Sequence, residues 1–335
     1  MMTENMKALH FKRKQGGFPQ EFFDAVADMP GLDLEIVENW ESMSEDELLE
    51  YIRGADILLA SRAPRIPDEV AGSPGRLKYI CYLHGTMCKV IGLPVIQSDI
   101  HVTNWGDRCG YGLAENSLTL LMVMLKDMPK RILAVRKGEG RGISSVGGEL
   151  RGPRLGVYGF GFAGQEFVRL LAPFNAKIRI YDPYVQSVPD TCTRVDSLDD
   201  LFDGAQAVVI HAGLTEETQG SVSRELLAKL PDQGVVVNTA RGAIIDQEAL
   251  FDELRSGRLR AGLDVLWPDD LPVDHEARQW ENLVWTCHEF GGRDWPGEKP
   301  DVQKKFGVFL DNIRSFLKGE PLKFEIDQIR YSRMT

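Results

Sequence analysis

The segment from Arg154 to Leu171 constrains the fold more than any other stretch: a short strand, Arg154-Leu-Gly-Val-Tyr158, runs into Gly159-Phe-Gly-Phe-Ala-Gly164, and a helical pattern follows from Gln165 to Leu171. Gly159 permits the tight turn, Gly161 lets a pyrophosphate approach the backbone, and Gly164 lets helix and strand pack closely. Free N–H groups of the first helical turn, at Phe162 and Ala163, then face the phosphates. Asp182 ends the next apolar strand, Lys177-Ile-Arg-Ile-Tyr181, 18 residues after Gly164. A carboxylate at that place accepts hydrogen bonds from adenosine ribose hydroxyls and repels a 2′-phosphate, so the pattern predicts a dinucleotide site for NAD rather than NADP.

The rest of the chain fits that reading. Strand patterns at 8–11, 32–37, 56–60 and 77–82 alternate with helical ones at 18–29 and after Ser44, whose first turn carries Glu45, Asp46 and Glu47. Such β-α alternation implies a parallel sheet with helices on both faces. A long helical run from Tyr111 to Lys126 is apolar over more of its circumference than one packing face needs. The glycine-rich stretch 136–152 reads as a loop or arm, a second alternating series runs from 155 to about 288, and the tail from Val302 to Leu317 is helical.

Composition excludes several alternatives. With 335 residues, 43% hydrophobic and 27% charged, the chain is long enough for two cores and has the balance of an ordinary soluble globular protein. Its net charge of −11 opposes nucleic acid and anionic lipid as partners, and no apolar run approaches a membrane span. No signal peptide is visible, and the five cysteines lack framework spacing, so reduced thiols in a cytoplasm are expected.

Three further segments resemble the NAD-dependent D-isomer-specific 2-hydroxyacid dehydrogenases. Val237-Asn-Thr-Ala-Arg-Gly-Ala-Ile-Ile-Asp246 is similar to the signature around that family's catalytic Arg, here Arg241. Gly262-Leu-Asp-Val265 resembles the segment leading to its catalytic acid, and Asn282-Leu-Val-Trp-Thr-Cys-His-Glu-Phe-Gly-Gly292 resembles the turn carrying its catalytic His, here His288. The resemblance covers about 80–330 in collinear order. It implies an α/β chain of two doubly wound parallel-sheet domains. A Rossmann-type NAD domain at 106–292 is inserted into a flavodoxin-like substrate domain formed by 1–105 plus 293–335. It further implies that His211 and Thr218 line the adenosine side of the cofactor, and that Thr239, Ala240 and Asp264 border the nicotinamide ribose and carboxamide. The helix from Tyr111 and the arm at about 129–150 would wrap a partner in a homodimer.

The chemistry asked of those residues follows from their side chains. Reducing a 2-oxo acid needs a hydride, which the cofactor supplies, a proton for the oxygen, and a cation for the carboxylate. An imidazole is the natural acid-base group near neutrality, and an adjacent carboxylate orients it. A guanidinium offers carboxylate and carbonyl oxygens a planar, two-pronged partner that Lys could not copy. The expected function is therefore hydride transfer between NAD(H) and a 2-hydroxy or 2-oxo acid, D-stereospecific by resemblance. His288 is the acid-base group and Arg241 the carboxylate anchor.

The chain also departs from the resembled pattern. Glu-Pro is usual at the catalytic acid, where this chain has Asp269-Asp270; Asp269 is the expected partner of His288, with Asp270 in reserve. Cys287 replaces the usual Pro before the His, and Asn116 the usual His after Ala114-Glu115. The substrate loop reads Tyr82-Leu-His-Gly-Thr-Met-Cys88, which makes His84 and Gly85 the substrate contacts there. His84 and Met87 in that loop, with Trp105, Arg108, Arg293 and Trp295, suggest a substrate tail larger or more polar than that of lactate. Cys81, His84 and Cys88 are close enough to suggest zinc, but strand alternation turns Cys81 away from His84, and no metal is expected. A NAD(H)-sensing binding protein or corepressor with little turnover is the alternative function; retention of both Arg241 and His288 favours the enzyme.

Overall fold

Strands buried on both faces read as unbroken apolar runs, and Ile57–Ala60, Tyr79–Tyr82, Ala207–Ile210 and Val235–Asn238 are buried at every residue. A computed structural model describes residues 5–14, 17–106, 108–139, 141, 147–290 and 301–332. The chain divides into two units, one formed by Met1–Arg108 and Asp294–Thr335, the other by Cys109–Arg293. Each is an α/β unit around one parallel sheet.

In the first unit β1 (Met6–Phe11), β2 (Leu32–Val37), β3 (Ile57–Ala60), β4 (Tyr79–Tyr82) and β5 (His101–Thr103) form a sheet of order β2-β1-β3-β4-β5. The winding direction reverses between β1 and β3, as in flavodoxin-like sheets. Phe22, Phe23 and Val26 of the helix Gln20–Ala27 pack with Phe306, Phe309, Leu310 and Ile313 of the helix Val302–Lys318 over one face. On the other face Leu48 and Ile52 of the helix Glu45–Arg53 meet Leu9, Leu58 and Ile80. Ser44 caps that helix, accepting from Glu47 N while the Glu47 side chain accepts from Ser44 N.

In the second unit β6 (Arg154–Tyr158), β7 (Lys177–Tyr181), β8 (Cys192–Arg194), β9 (Ala207–Ile210), β10 (Val235–Asn238), β11 (Arg260–Leu263) and β12 (Leu283–Trp285) take the order β12-β11-β10-β9-β6-β7-β8. The reversal falls between β6 and β9, so the glycine turn after β6 opens at the switch point of the sheet. The helix Arg108–Leu125 buries Ala114, Leu120, Leu121 and Met124 against Leu155, Val157, Ile178, Val209 and Val237. A Cβ on Gly262 would come 2.9 Å from Leu120 Cβ, so glycine in β11 is what lets helix and sheet meet.

The structure refines several expectations. Part of the arm expected at 129–150 is a helix, Met128–Arg136. Asp127, at φ 52°, breaks the preceding helix, and Pro129 suits the first turn of the next. Arm residues 140 and 142–146 lie outside the described residues. The helix expected at 18–29 spans Gln20–Ala27, and β5 and β8, three residues each, are too short to show a period. Among the described residues no helix is long and apolar enough to cross a membrane.

Candidate active site

Gly159 sits at φ +92°, and a Cβ there would come 2.4 Å from Ala212 N. A Cβ on Gly164 would strike Gly159 O at 2.3 Å, whereas one on Gly161 would meet nothing within 4 Å. The turn is closed where strand and helix touch and open beside Gly161. Gly161 also N-caps the helix Phe162–Leu171 without a side-chain bond, leaving the N–H groups of Phe162 and Ala163 without a side-chain acceptor. Asp182 steadies this turn: Oδ2 accepts from Phe160 N at 2.7 Å and Oδ1 from Tyr184 N at 2.9 Å. Each oxygen keeps a lone pair for a further donor. An uncapped helix start, open room beside Gly161 and a fixed carboxylate fit a dinucleotide.

The other cofactor candidates are placed by the ends of β9, β10 and β11. His211 follows β9, and its ring packs tilted against Phe167 with the centroids 5.1 Å apart. Its Nε2 is buried with no hydrogen-bond partner among the described residues, and desolvation pushes its pKa down to about 4. Thr218 Oγ1 donates to Gly213 O at 2.7 Å and accepts from Thr215 N at 2.7 Å, shaping the loop after β9. Thr239 is buried and pairs with Ser117 Oγ at 2.7 Å. Ala240 N donates to Asn238 Oδ1 at 3.0 Å. Asp264, 5% exposed, accepts from Thr286 Oγ1 at 2.6 Å and from Phe290 N at 3.2 Å, and its carbonyl accepts from His288 N. Asp264 thus anchors the turn that carries His288.

His288 Nδ1 lies 2.9 Å from Asp269 Oδ2. Asp270 is engaged elsewhere, accepting from Arg278 Nη2 at 2.9 Å, and the Arg278 guanidinium lies over the Trp285 ring. Burial pulls the Arg241 guanidinium below its ordinary value while the Asp269 charge pulls it back. Arg241 Nη1 donates to Ala240 O at 2.7 Å. The structure therefore brings Arg241, Asp269 and His288 into one electrostatic group and leaves Asp270 out of it. Cys287 and His288 stand at φ 52° and 57°, and proline could not hold the first of these values.

Within the first unit His84 and Gly85 follow β4. Asn104 Nδ2 donates to Gly85 O at 2.9 Å and Trp105 N to His84 O at 3.2 Å, pinning the loop. A Cβ on Gly85 would come 2.4 Å from Trp105 Nε1. His84 Nε2 and Ser61 Oγ are hydrogen-bonded at 3.1 Å, and burial, then the charges of Arg62 and Arg13, push the imidazole down to about 4. Cys81 is buried in β4 with its thiol pushed up to about 12, and among the described residues no group of three His, Cys, Asp or Glu could hold a metal ion. Of the tail-binding candidates Trp105 is half-buried, Arg293 and Trp295 lie outside the described residues, and only the backbone of Arg108 is described.

Sequence reasoning missed the residues that support the site. Ser117, Thr286 and Arg278 act through contacts between distant positions, and Asn116, singled out only as a departure, donates from Nδ2 to Phe290 O. None of the three has a local motif; only the tertiary pairing distinguishes Arg278 from any exposed arginine.

Residues 118–289 match the model of the D-isomer specific 2-hydroxyacid dehydrogenase NAD binding domain. The hydroxypyruvate reductase of Thermotoga maritima is 31% identical over 74% of this chain and 82% of its own. The D-3-phosphoglycerate dehydrogenase of Methanocaldococcus jannaschii is 27% identical over 85% of this chain, which spans only 54% of that protein. The solved structure of a D-2-hydroxyisocaproate dehydrogenase superposes with a TM-score of 0.76 over 96% of this chain and 99% of that one, at 23% identity, and shows the same fold. The second unit is thus an NAD-binding Rossmann domain, and the chain belongs to the D-isomer specific 2-hydroxyacid dehydrogenase family.

Proposed function

We propose that this chain transfers hydride between NAD(H) and a 2-hydroxy or 2-oxo acid, with D stereospecificity. The observation that carries the reading is the 2.9 Å pairing of His288 with Asp269, whose charge also reaches Arg241. When bound, the nicotinamide gives or takes the hydride. In reduction His288 gives the proton on Nε2 to the substrate oxygen, and in oxidation it takes that proton back. Asp269 accepts from Nδ1–H, fixes the ring and stabilises the imidazolium. Arg241 holds the carboxylate and the carbonyl oxygen with two prongs of one guanidinium. In the cofactor domain, taken as 106–292, Gly159, Gly161, Phe162, Ala163, Gly164 and Asp182 serve the phosphates and ribose. His211, Thr218, Thr239, Ala240 and Asp264 shape the surrounding walls. The unit built from 1–105 and 293–335 is the substrate domain, with His84 and Gly85 as its substrate contacts.

Two further parts of the reading rest on surface chemistry. Tyr111, Met128, Ile132 and Val135 are large apolar side chains left exposed on consecutive helices, which supports a homodimer built there. Cys81, Cys88, Cys192 and Cys287 are free thiols, which supports a reducing, cytoplasmic setting.

The test is NADH oxidation over a panel of 2-oxo acids by the full chain, with His288→Gln as the comparison. Turnover by the wild type that collapses in the variant, with NADH still bound, is expected. NADH binding without turnover on any acid overturns the enzyme reading in favour of a NAD(H)-sensing protein.

A further inference from the structure

An ion pair that is about half exposed contributes ~0–1 kcal/mol and cannot by itself hold two loops together. The His288 and Asp269 side chains are 47% and 54% exposed, so their 2.9 Å pairing has to be set by what anchors the two backbones. On the His288 side the anchor is Asp264, through Thr286 and Phe290. On the Asp269 side two side chains hold the loop from its two ends. Gln247 Oε1 accepts from Trp267 N at 2.8 Å, two residues before Asp269. Arg278 engages the three residues that follow Asp269. Its Nη2 donates to Asp270 Oδ1 at 2.9 Å and to Leu271 O at 2.6 Å, and its Nε donates to Pro272 O at 2.9 Å. The same guanidinium lies 5.0 Å from the centroid of the Trp285 ring. Trp285 ends β12, paired with Leu263 of β11, and stands three residues before His288. Its Nε1 is buried with no hydrogen-bond partner among the described residues, so no hydrogen bond there competes with Arg278 in fixing the ring.

We propose that Arg278 is a positioning residue for the proton transfer: it brackets the loop that carries Asp269 to the strand that leads to His288, and so fixes which ring nitrogen keeps its proton. The proposal rests on the dehydrogenase reading above and adds a residue to it. A guanidinium offers its donors in one plane; here Nε and Nη2 reach two consecutive carbonyls while the flat face meets the indole. The carbonyl bonds carry the bracket, because Asp270 is 85% exposed and its share of the ion pair is small. A lysine ammonium, a single point on a flexible stem, cannot reproduce both carbonyl bonds and the stacking. With the loop held, Asp269 accepts from Nδ1–H and leaves Nε2 to exchange the substrate proton. With the loop released, Asp269 turns to solvent, and nothing keeps the neutral ring's proton on Nδ1.

The experiment takes two readouts from the full chain. The first is kcat of wild type, Arg278→Met and Arg278→Lys on a 2-oxo acid that turns over, each variant also made in an Asp269→Asn background. Arg278→Met keeps a stem over Trp285 but loses every donor, and should lower kcat about tenfold, with Arg278→Lys between it and wild type. In the Asp269→Asn background the same changes should cost less than about threefold, because the residue they act through is already gone. A loss of equal size in both backgrounds makes Arg278 merely structural and overturns the proposal, as does an unchanged kcat in both single variants. The second readout needs no turnover: nitrogen NMR of the free protein with isotope-labelled histidine, at a pH where the ring is neutral, with His288 assigned by its loss in His288→Gln. The wild-type ring should hold its proton on Nδ1, and Arg278→Met should shift it towards Nε2. A wild-type proton on Nε2, or a tautomer unchanged in both variants, overturns the bracket whatever the kinetics. If no oxo acid turns over, the dehydrogenase reading has failed and the tautomer alone decides. If melts show Arg278→Met unfolded, Arg278→Lys, which keeps charge and stem, carries both readouts.

Discussion

Asp269 Oδ2 lies 2.9 Å from His288 Nδ1, while the adjacent carboxylate, Asp270, is taken by Arg278 at the same distance. Two neighbouring acids are thus given different work by their partners. His288→Gln should lower kcat by ~10²–10⁴-fold, the usual loss on removing an acid-base group. Asp269→Asn should lower kcat at least tenfold because Nδ1–H loses its charged acceptor, while Asp270→Asn should change kcat less than threefold. Steady-state kinetics of the three variants check this, and a silent Asp269→Asn beside a crippled Asp270→Asn would sink the assignment.

Arg241 can be tested without removing its charge. Arg241→Lys keeps a cation but loses the two-pronged plane, and the shorter reach of an ammonium leaves one substrate oxygen without a partner. The expected result is a KM raised about tenfold or more with a smaller fall in kcat. Unchanged kcat/KM would show that Arg241 acts only as a point charge.

Local signals and tertiary ones were not equally legible. The glycine turn and Asp182 could be read because three glycine positions and one strand end are set by backbone sterics within about thirty residues. Central strands such as Val235–Asn238 could be read because double burial demands an unbroken apolar run. The resembled pattern already puts Asp269 ahead of Asp270, but what occupies Asp270 could not be read, since that is Arg278, eight residues later. Nor could the helix Met128–Arg136, which is created by one left-handed residue, Asp127. The tail-binding cations drawn from the sequence, Arg108 and Arg293, came from proximity to recognised segments.

Cys287 stands where the resembled pattern has proline, and its φ of 52° explains why proline is absent here. A pyrrolidine ring holds φ near −65°, so Cys287→Pro must move the turn that carries His288. Cys287→Pro should lower the melting temperature and reduce kcat at least tenfold. Cys287→Gly, which accepts positive φ, should leave the melting temperature equal or slightly higher. Thermal melts and kinetics of the two variants decide it; a proline variant that melts and turns over like wild type removes the argument.

Cofactor choice should follow Asp182. Its two oxygens already hold Phe160 N and Tyr184 N, so the carboxylate is fixed where a 2′-phosphate would need to sit. kcat/KM for NADH should exceed that for NADPH by at least tenfold. Asp182→Ala should narrow that gap and weaken NADH as well, because the turn loses two acceptors. Comparable use of both cofactors by wild type would show that the carboxylate is purely structural.

His211 makes the fold acid-sensitive in a window that its surroundings define. Its ring packs on Phe167, its Nε2 is buried with no partner among the described residues, and desolvation pushes its pKa down to about 4 from an ordinary 6.5. The folded state therefore keeps the ring neutral where the unfolded chain already binds a proton. Stability from this group is fully present above about pH 6.5. It falls as the pH drops from 6.5 towards 4, and is level below that, where both states are protonated. A shift of this size corresponds to at most about 3.5 kcal/mol across the window. His84 is depressed to about 4 in the first unit and adds a loss of the same sign. Between pH 7 and pH 4 the melting temperature of wild type should fall more steeply than that of His211→Leu, because the variant lacks the proton-binding site that penalises the wild type. Curves that stay parallel through the window would show that the buried ring does not contribute to acid sensitivity.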